Sequence, residues 1–532
     1  MSEILVIDEK PVSLQKIKAF IFRCESKAHI EISSHVKRRV EHSFDKLQEL
    51  LKSNVPIYGV TTGFGDSCFR VIPPEKSEEL QKNLILYLTC GTGKQMSKVS
   101  ARATSVMRLL SLCQGYSGVS WDLIERLKNF LEKDWVPAIP REGSLGASGD
   151  LVPLAYLAEI LQGGGRLICD DEAKTVLTKD VLSEAGLKPY VLKAKEGIAL
   201  VNGTSAMAGL SLVNLSHAKF LLMTATLSSS WLCLALQGRK EAFSVLVNEE
   251  AKKHLGQGVI AKKIRKYLDD EEYQATRGQD VKVTGNETLG FIQDRYSLRC
   301  VPQILGPVLE TIDQAWEWLE IEASSASDNP LINFDGNLEM GGNFYGGYLT
   351  HSMDYLKICL GQIADLQDRQ LTFLIDEKSN RGLPPNLADW PSLSPDEKFL
   401  HHGLKGLHQA VSALTSELLS RSIPNSIFSR SSESHNQDKV SLGMSAAVQC
   451  SDNIDTLYSI QAMHLICLVQ ALDLRKISLK GETSLEFYSL VRRIVPFVNR
   501  DQALGDKILA LTNELKRYSQ TYEGNFNHNE KT

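Results

Sequence analysis

Ala147, Ser148 and Gly149 form a tripeptide that can do chemistry open to no single side chain. If the backbone bends so that the Gly149 nitrogen approaches the Ala147 carbonyl carbon, a five-membered ring can close. Glycine supplies an unhindered nitrogen that tolerates strained backbone angles, and loss of water from Ser148 leaves an exocyclic methylidene. The product is a 4-methylidene-imidazol-5-one (MIO), an electrophile. Alone, Ala-Ser-Gly is common by chance and indicates a turn in which Ser148 or Asp150 caps a helix.

The tripeptide lies within GSLGASGDL, residues 143–151, and other motifs follow one another along the chain. They are IYGVTTGFG at 57–65, VNGTSAM at 201–207, QDRYSLRCVPQ at 293–303, SASDNP at 325–330, GGNFYG at 341–346 and SHNQDKVSLG at 434–443. On these motifs, from about Ile57 to Leu472, the chain resembles the aromatic amino acid lyase family of histidine, phenylalanine and tyrosine ammonia-lyases and related aminomutases. The resemblance implies that MIO forms autocatalytically from the tripeptide, that no metal is required, and that ammonia is eliminated from an aromatic amino acid.

The resemblance also implies roles for individual residues. Tyr58 is the expected base that removes a β-proton, although a phenol with an ordinary pKa of about 10 needs electrostatic help near neutral pH. Asn202 is expected to hydrogen-bond the carbonyl oxygen of the MIO ring, and Arg299 to grip the substrate carboxylate through two parallel hydrogen bonds. Tyr296 is expected to assist deprotonation or to handle the amine. Further contacts are expected from Gln293, Asn329 and Phe344.

In this family a residue pair in the helix after the loop at about residues 57–70 largely determines which substrate side chain is accepted. In this chain the pair is Tyr87-Leu88. Histidine-specific members and many aminomutases tend to carry Ser-His there, tyrosine-preferring lyases His-Leu, and phenylalanine-preferring lyases Phe-Leu. Leu88 leaves an imidazole unpaired, which costs about 1–3 kcal/mol when buried, so histidine is disfavoured. Asn436-Gln437 resembles phenylalanine and tyrosine lyases, because histidine lyases usually have a glutamate in place of Gln437. Tyr87 can reach a para-hydroxyl, which favours L-tyrosine, giving trans-4-coumarate, over L-phenylalanine, giving trans-cinnamate.

Other functions stay open at this point. A tyrosine or phenylalanine 2,3-aminomutase uses the same electrophile but returns ammonia to the β-carbon, and histidine ammonia-lyase activity is another alternative. A catalytically inactive structural homologue is an alternative of a different class, which the presence of Tyr58, Ser148 and Arg299 disfavours. The fumarase and aspartase group also eliminates from small acids, and a loss of MIO absorbance in Ser148→Ala would separate it from this chain.

Segments with helical periodicity separate the loops that carry these motifs. They are residues 14–52, 75–113, 119–130, 205–236, 301–324, 348–375, 407–419 and 440–472. We predict a mainly α fold with a central long-helix bundle, similar to that of fumarases and aspartases, and a small mixed catalytic region. Residues 1–200 would hold this region, with an inner lid loop at about 57–70 and the MIO loop at 143–151. Residues 201–480 would form the bundle, and 481–532 a helical extension with a polar tail.

The overall composition of the chain limits the binding partners and the cellular compartment that we expect for it. The chain has 532 residues, 43% hydrophobic and 23% charged, as globular proteins do, and its formal charge of −5 argues against binding to nucleic acid. Ten cysteines without CxxC spacing and a start without an apolar signal segment favour the cytoplasm. The apolar segment 220–236 is shorter than the roughly 20 residues of a membrane span, so a buried helix is expected and no membrane. The family resemblance implies a homotetramer whose active sites draw residues from several subunits.

Overall fold

The computed structural model describes residues 4–23, 28–53, 55–274, 293–389 and 392–522. Within these residues α-helices dominate, which confirms the mainly α prediction. They are α1 (Leu14–Phe22), α2 (Ser34–Lys52), α3 (Ser77–Leu88), α4 (Lys98–Leu112), α5 (Trp121–Glu132), α6 (Leu151–Leu161), α7 (Thr178–Glu184), α8 (Glu196–Val201), α9 (Ser205–Ala235), α10 (Leu255–Asp270), α11 (Tyr296–Arg299), α12 (Val301–Ala323), α13 (Gly347–Ile375), α14 (Lys405–Ser420), α15 (Gly443–Leu474), α16 (Glu482–Ile494) and α17 (Gly505–Thr521). The predicted polar tail, after residue 522, lies outside the described residues.

Short strands form four two-stranded sheets in the described part of the chain. The strands are β1 (Ile4–Ile7), β2 (His29–Ile32), β3 (Thr92–Gln95), β4 (Pro140–Glu142), β5 (Arg166–Ile168), β6 (Thr175–Leu177), β7 (Leu331–Ile332) and β8 (Leu338–Glu339). β1 and β2 pair in parallel, and the pairs β3–β4, β5–β6 and β7–β8 are antiparallel. β5 and β6 form a hairpin.

Two stretches that the sequence predicted as helical contain strands, and there the prediction was wrong. Residues 14–52 are interrupted by β2, whose Ile30 is buried and pairs with Leu5 of β1. Residues 75–113 are interrupted by β3, which pairs with β4 immediately before the MIO loop. β2 has two apolar residues and β3 has none, so neither strand is long or apolar enough for its period to be told from that of a helix by spacing alone.

The long helices lie close to their predicted positions, and α9 shows why these sequences form buried rods. Over its 31 residues Lys219 is the single Lys, Arg, Asp or Glu. Several of its hydroxyls donate within the helix; Thr224 and Thr226, for example, donate to the carbonyl oxygens four residues earlier at 2.9 and 2.8 Å. α9 and α15 are long and apolar enough to cross a membrane, but 94% and 83% of their most apolar windows are buried inside the protein. The prediction that 220–236 is a buried helix therefore holds.

The chain divides into two compact units, each built from separate stretches of sequence. Unit 1 comprises Met1–Leu215, Gln314–Tyr355 and Pro424–Cys450, and unit 2 comprises Ser216–Asp313, Leu356–Ile423 and Ser451–Thr532. The three-region division at residues 200 and 480 stays a prediction.

Candidate active site

Three packed helices of unit 1 place several predicted site residues, which lie at or next to the helix ends, close to one another. α3, α6 and α8 pack against one another. Tyr87-Leu88 forms the last turn of α3, Ser148 precedes α6, and Asn202 directly follows α8. The buried Gln81 of α3 ties this group to the first loop, since its amide donates to the Gly59 carbonyl at 2.8 Å and accepts from the Ile198 nitrogen at 2.9 Å. Helix packing therefore positions residues that lie more than one hundred positions apart in sequence.

A cavity of about 360 Å³ in unit 1 collects most of the predicted site residues. The predicted residues that line it are Tyr58, Tyr87, Leu88, Ala147, Ser148, Asn202, Asn329, Phe344, Asn436 and Gln437. Its other lining residues are Phe64, Gly65, Leu84, Leu151, Ile198, Val201, Met340, Glu433, Asp438 and Lys439. The sequence predictions missed the charged residues of this second group. The one feature of the sequence that could have indicated these charged residues is that they flank Asn436-Gln437 in the same short loop.

The backbone around the tripeptide requires glycine at position 149. Gly149 has φ +73° and forms a parallel bridge with Gly203. The Gly203 nitrogen donates to the Ser148 carbonyl at 3.1 Å, and the Asp150 nitrogen donates to the Gly203 carbonyl at 2.7 Å. A Cβ at Gly149 would lie 2.1 Å from that same Gly203 oxygen, a distance that no side chain can adopt. The Ser148 hydroxyl faces the cavity and accepts a hydrogen bond from the Gln437 amide at 3.2 Å.

Asp150 caps a helix, but not the helix that follows it. Its side chain makes no capping bond to α6. The carboxylate instead accepts from the Met207 nitrogen at 2.7 Å and from the Ala206 nitrogen, in the first turn of α9. Complete burial raises the pKa of Asp150 to about 7, against these bonds and the charge of Arg108, which lower it. The bonds join the loop before α6 to the loop that carries Asn202.

Asn202 is held by a buried ion pair beneath the cavity. The Asp328 carboxylate pairs with the fully buried Lys195 at 2.5 Å, and its other oxygen accepts from the Asn202 amide at 3.4 Å. The Asn202 amide also donates to the Asn329 carbonyl at 2.9 Å. The Asn202 side-chain oxygen is buried and has no hydrogen-bond partner among the described residues. Since an unpaired buried oxygen is unfavourable, this atom is suited to meet a donor that enters the cavity.

Tyr58 lies in the first loop with its hydroxyl accepting from the Gly65 nitrogen at 2.9 Å. Burial raises the pKa of Tyr58 above its ordinary value. The Gly65 hydrogen bond opposes this rise, whereas Cys68 and Glu433 add to it. Burial also raises the pKa of Tyr87 to about 12, again with a contribution from Glu433. Of these neighbours only the Gly65 N–H favours the phenolate, and it does not outweigh burial, so Tyr58 lacks here the electrostatic help that a tyrosine base needs near neutral pH.

Three predicted site residues belong to unit 2 and do not line this cavity. Gln293 precedes α11, whereas Tyr296 and Arg299 begin and end it. The Arg299 guanidinium lies 4.7 Å from the centroid of the Tyr296 ring, and Tyr296 is exposed. Their predicted roles in binding the substrate stay predictions.

Unit 2 contains a larger cavity with a different lining. It has a volume of about 460 Å³ and is lined mainly by residues around the start of α10, including Lys253, Lys262, Lys263 and Lys266. It has no aromatic wall and no Ala-Ser-Gly tripeptide. Among the described residues no three or more His, Cys, Asp or Glu side chains cluster as a metal site would require. The cavity of unit 1 is therefore the candidate active site.

Comparisons with known proteins agree on one family. A family model described as aromatic amino acid lyase matches residues 12–493. A histidine ammonia-lyase of Bacillus subtilis is 34% identical, with 97% of each chain covered, and a tyrosine ammonia-lyase of Cupriavidus metallidurans is 36% identical, with 89% of each covered. A crystal structure of the tyrosine aminomutase of Streptomyces globisporus superposes with a TM-score of 0.90 at 29% identity, over 97% of each chain. The chain is thus similar, over nearly its whole length, to enzymes with different amino acid substrates.

Proposed function

The chain belongs to the aromatic amino acid lyase family, and from this premise we propose that it eliminates ammonia from L-tyrosine, giving trans-4-coumarate, or from L-phenylalanine, giving trans-cinnamate. Relatives in the family are ammonia-lyases, so the enzyme class is that of the carbon–nitrogen lyases. One observation carries the proposal. A single cavity holds Ser148 of the tripeptide, the phenol of Tyr58 and the aromatic wall of Tyr87.

The residues at positions 147–149 fit the MIO group of this family. The hydroxyl that must leave, on Ser148, is in the cavity, and Gly149 has the positive φ and the crowded α-carbon that exclude other residues. The amide nitrogen of Asn202, the donor expected for the ring carbonyl, donates instead to Asp328 and to the Asn329 carbonyl. The unpartnered Asn202 oxygen would accept from an N–H donor such as the substrate amine. When formed, the group supplies an electrophilic carbon that activates the substrate for loss of ammonia.

The chain's own residues would then bind the substrate and move its proton. Tyr58 takes the β-proton through its hydroxyl oxygen, and Phe344 packs beside the reacting region. Asn329 lines the cavity and contacts the carboxylate, while its side-chain oxygen accepts from the Gly341 nitrogen at 2.8 Å. Its orientation is therefore set before substrate binds, which lowers the entropy lost on binding. Leu88 provides an apolar wall for the ring.

We further propose a cytoplasmic homotetramer in which Gln293, Tyr296 and Arg299 of a neighbouring subunit complete the site. None of these three residues is among the lining residues of the cavity of unit 1, which leaves that cavity without the arginine expected to bind the substrate carboxylate. Light scattering should give a mass of about four times the 59.1 kDa of one chain. A monomer with full activity would contradict the composite site, and cell fractionation would test the location.

Histidine is the second candidate substrate. The Bacillus subtilis relative is a histidine ammonia-lyase. The Glu433 carboxylate lines the cavity, so an imidazole N–H would have an acceptor there that was not predicted from the sequence. Leu88 therefore disfavours histidine less than it would in a cavity without such an acceptor. A 2,3-aminomutase is a further alternative, supported by the likeness to the Streptomyces globisporus enzyme.

A substrate panel tests the proposed function. Purified enzyme is incubated with L-tyrosine, L-phenylalanine, L-histidine and L-3,4-dihydroxyphenylalanine, and the arylacrylate is followed by its ultraviolet absorbance. We expect release of 4-coumarate to be the fastest reaction. Chromatography of the same mixtures separates the outcomes, because a β-amino acid as main product would identify a mutase. Urocanate as the fastest product would identify a histidine lyase, and no elimination from any of the four would refute the proposal.

A further inference from the structure

Arg108 of α4 has a fully buried side chain that bonds the end of α8. Its Nη1 atom donates to the carbonyl oxygens of Ala199 and Asn202, both at 3.1 Å. The last carbonyl groups of a helix have no partner within the helix, and a cation at a helix C-terminus is also favoured by the helix dipole. Arg108 therefore fixes the backbone that carries the Asn202 side chain.

The same guanidinium packs against Gly203, in the turn at residues 202–204. A Cβ built on Gly203 would overlap the Arg108 Nη2 atom and would lie 2.5 Å from the Ser327 hydroxyl oxygen. The backbone of Gly203 also bonds the loop of the tripeptide, because its nitrogen donates to the Ser148 carbonyl and its carbonyl accepts from the Asp150 nitrogen. Gly203 thus connects Arg108 directly with the backbone that must close the MIO ring.

Three acidic residues around the same turn compensate the charge of Arg108. Burial lowers the pKa of Arg108 to about 10, and the charges of Asp328, Asp150 and Glu322 oppose this change. Each of these acidic residues forms a hydrogen bond with one of residues 202–204. The Nε and Nη2 atoms of Arg108 are buried without a hydrogen-bond partner among the described residues, so the surrounding charges are what offsets its burial. Arg108 therefore stabilises the three carboxylates as well as the turn that they bond.

We propose that Arg108 is a positioning residue for maturation of the electrophile, which holds the turn at residues 202–204 against the tripeptide so that the ring can close. This inference rests on the proposed function. In maturation the Gly149 nitrogen bonds to the Ala147 carbonyl carbon, whose oxygen leaves as water, and the Ser148 hydroxyl leaves as a second water. Ring closure needs the two backbone atoms in contact, and a misplacement of about 1 Å can cost about 10²-fold in rate.

Maturation of two variants of the full chain tests this inference. Arg108→Lys keeps the charge, but its single nitrogen cannot occupy the Nη1 and Nη2 positions together. The share of chains that have lost two waters, counted by intact mass spectrometry, should fall about fivefold or more, with a matching loss of MIO absorbance. Because the turn also carries Asn202, kcat per matured chain should fall about tenfold and KM should change less than about threefold. Ser327→Ala is milder, since the Ser327 hydroxyl accepts from the Thr204 nitrogen at 3.3 Å, and should lower the matured share about threefold.

Arg102→Lys is the matched control. Arg102 is a buried arginine of the same helix, but it bonds Asp134 and the Ile21 carbonyl. Its substitution should lower the thermal unfolding midpoint as Arg108→Lys does, while the matured share and kcat stay within about twofold of the unaltered enzyme.

Two results for Arg108→Lys overturn the inference: full maturation with unchanged kcat, and a loss of matured chains equal to that in Arg102→Lys, which would make Arg108 a residue of the fold alone. If Arg108→Lys does not fold, full maturation and activity of Ser327→Ala overturns it instead. Failure of the proposed function is distinct, because the unaltered chain would then have lost no water.

Discussion

Ser148→Ala should abolish the absorbance of MIO and reduce kcat by more than about 10³-fold, the largest loss expected from any single side chain of this protein. Alanine has no hydroxyl to lose, so no exocyclic methylidene can form at position 148. The fold should survive, because the Ser148 hydroxyl makes one hydrogen bond, from the Gln437 amide at 3.2 Å. Such a bond contributes about 1 kcal/mol to stability. The measurements are the difference ultraviolet spectrum, the thermal unfolding midpoint and the rate of arylacrylate release.

Ser144→Ala is the matched control for this prediction. It removes one hydroxyl from the same loop, whose nearest described acceptor is the Asp150 carboxylate at 3.5 Å, and it should keep the absorbance. Gly149→Ala should lose the absorbance by a different route, since its Cβ would collide with the Gly203 carbonyl and prevent the backbone approach that closes the ring. A Ser148→Ala enzyme that keeps both the absorbance and the activity would contradict the origin of the electrophile.

Tyr58→Phe should lower kcat by about 10²–10⁴-fold, the range expected for loss of a general base. Phenylalanine keeps the ring but has no oxygen to take the β-proton. The pH dependence gives a second signature. Since burial raises the pKa of Tyr58, the active phenolate is scarce near neutral pH and should increase about tenfold per pH unit below that pKa. At saturating substrate, kcat of the unaltered enzyme should therefore rise with pH, and this rise should be missing in Tyr58→Phe.

Tyr156→Phe serves as the control for Tyr58→Phe. Tyr156 lies in α6, donates to the Gly91 carbonyl at 3.4 Å and does not line the cavity. Its substitution should leave kcat and its pH dependence unchanged within about twofold. If Tyr58→Phe kept more than a tenth of the activity, another group would have to act as the base. Tyr296, the other phenol with a proposed role, would be the first to test.

Local sequence gives only part of the information needed to predict which substrate the cavity accepts. Tyr87-Leu88 indicated an aromatic ring without an imidazole partner, and Asn436-Gln437, with no glutamate at position 437, agreed with it. In the folded chain Glu433, far from that pair in sequence, lines the same cavity and acts electrostatically on Tyr87. The lining of the cavity therefore includes a charged group that the sequence of the helix alone does not reveal.

The sequence by itself determined the positions of the long helices and was enough to predict the chemistry of the tripeptide. Ala147-Ser148-Gly149 is meaningful as a tripeptide because the ring closure involves only adjacent atoms, and helices such as α9 repeat their apolar pattern over enough turns to be recognised. The tertiary structure alone decided that Asp150 caps α9, that Lys195 pairs with Asp328 beneath Asn202, and that β2 and β3 interrupt predicted helices. These features join residues distant in the chain. Their energies come from burial and from pairing with groups that only folding brings near, so no local pattern encodes them.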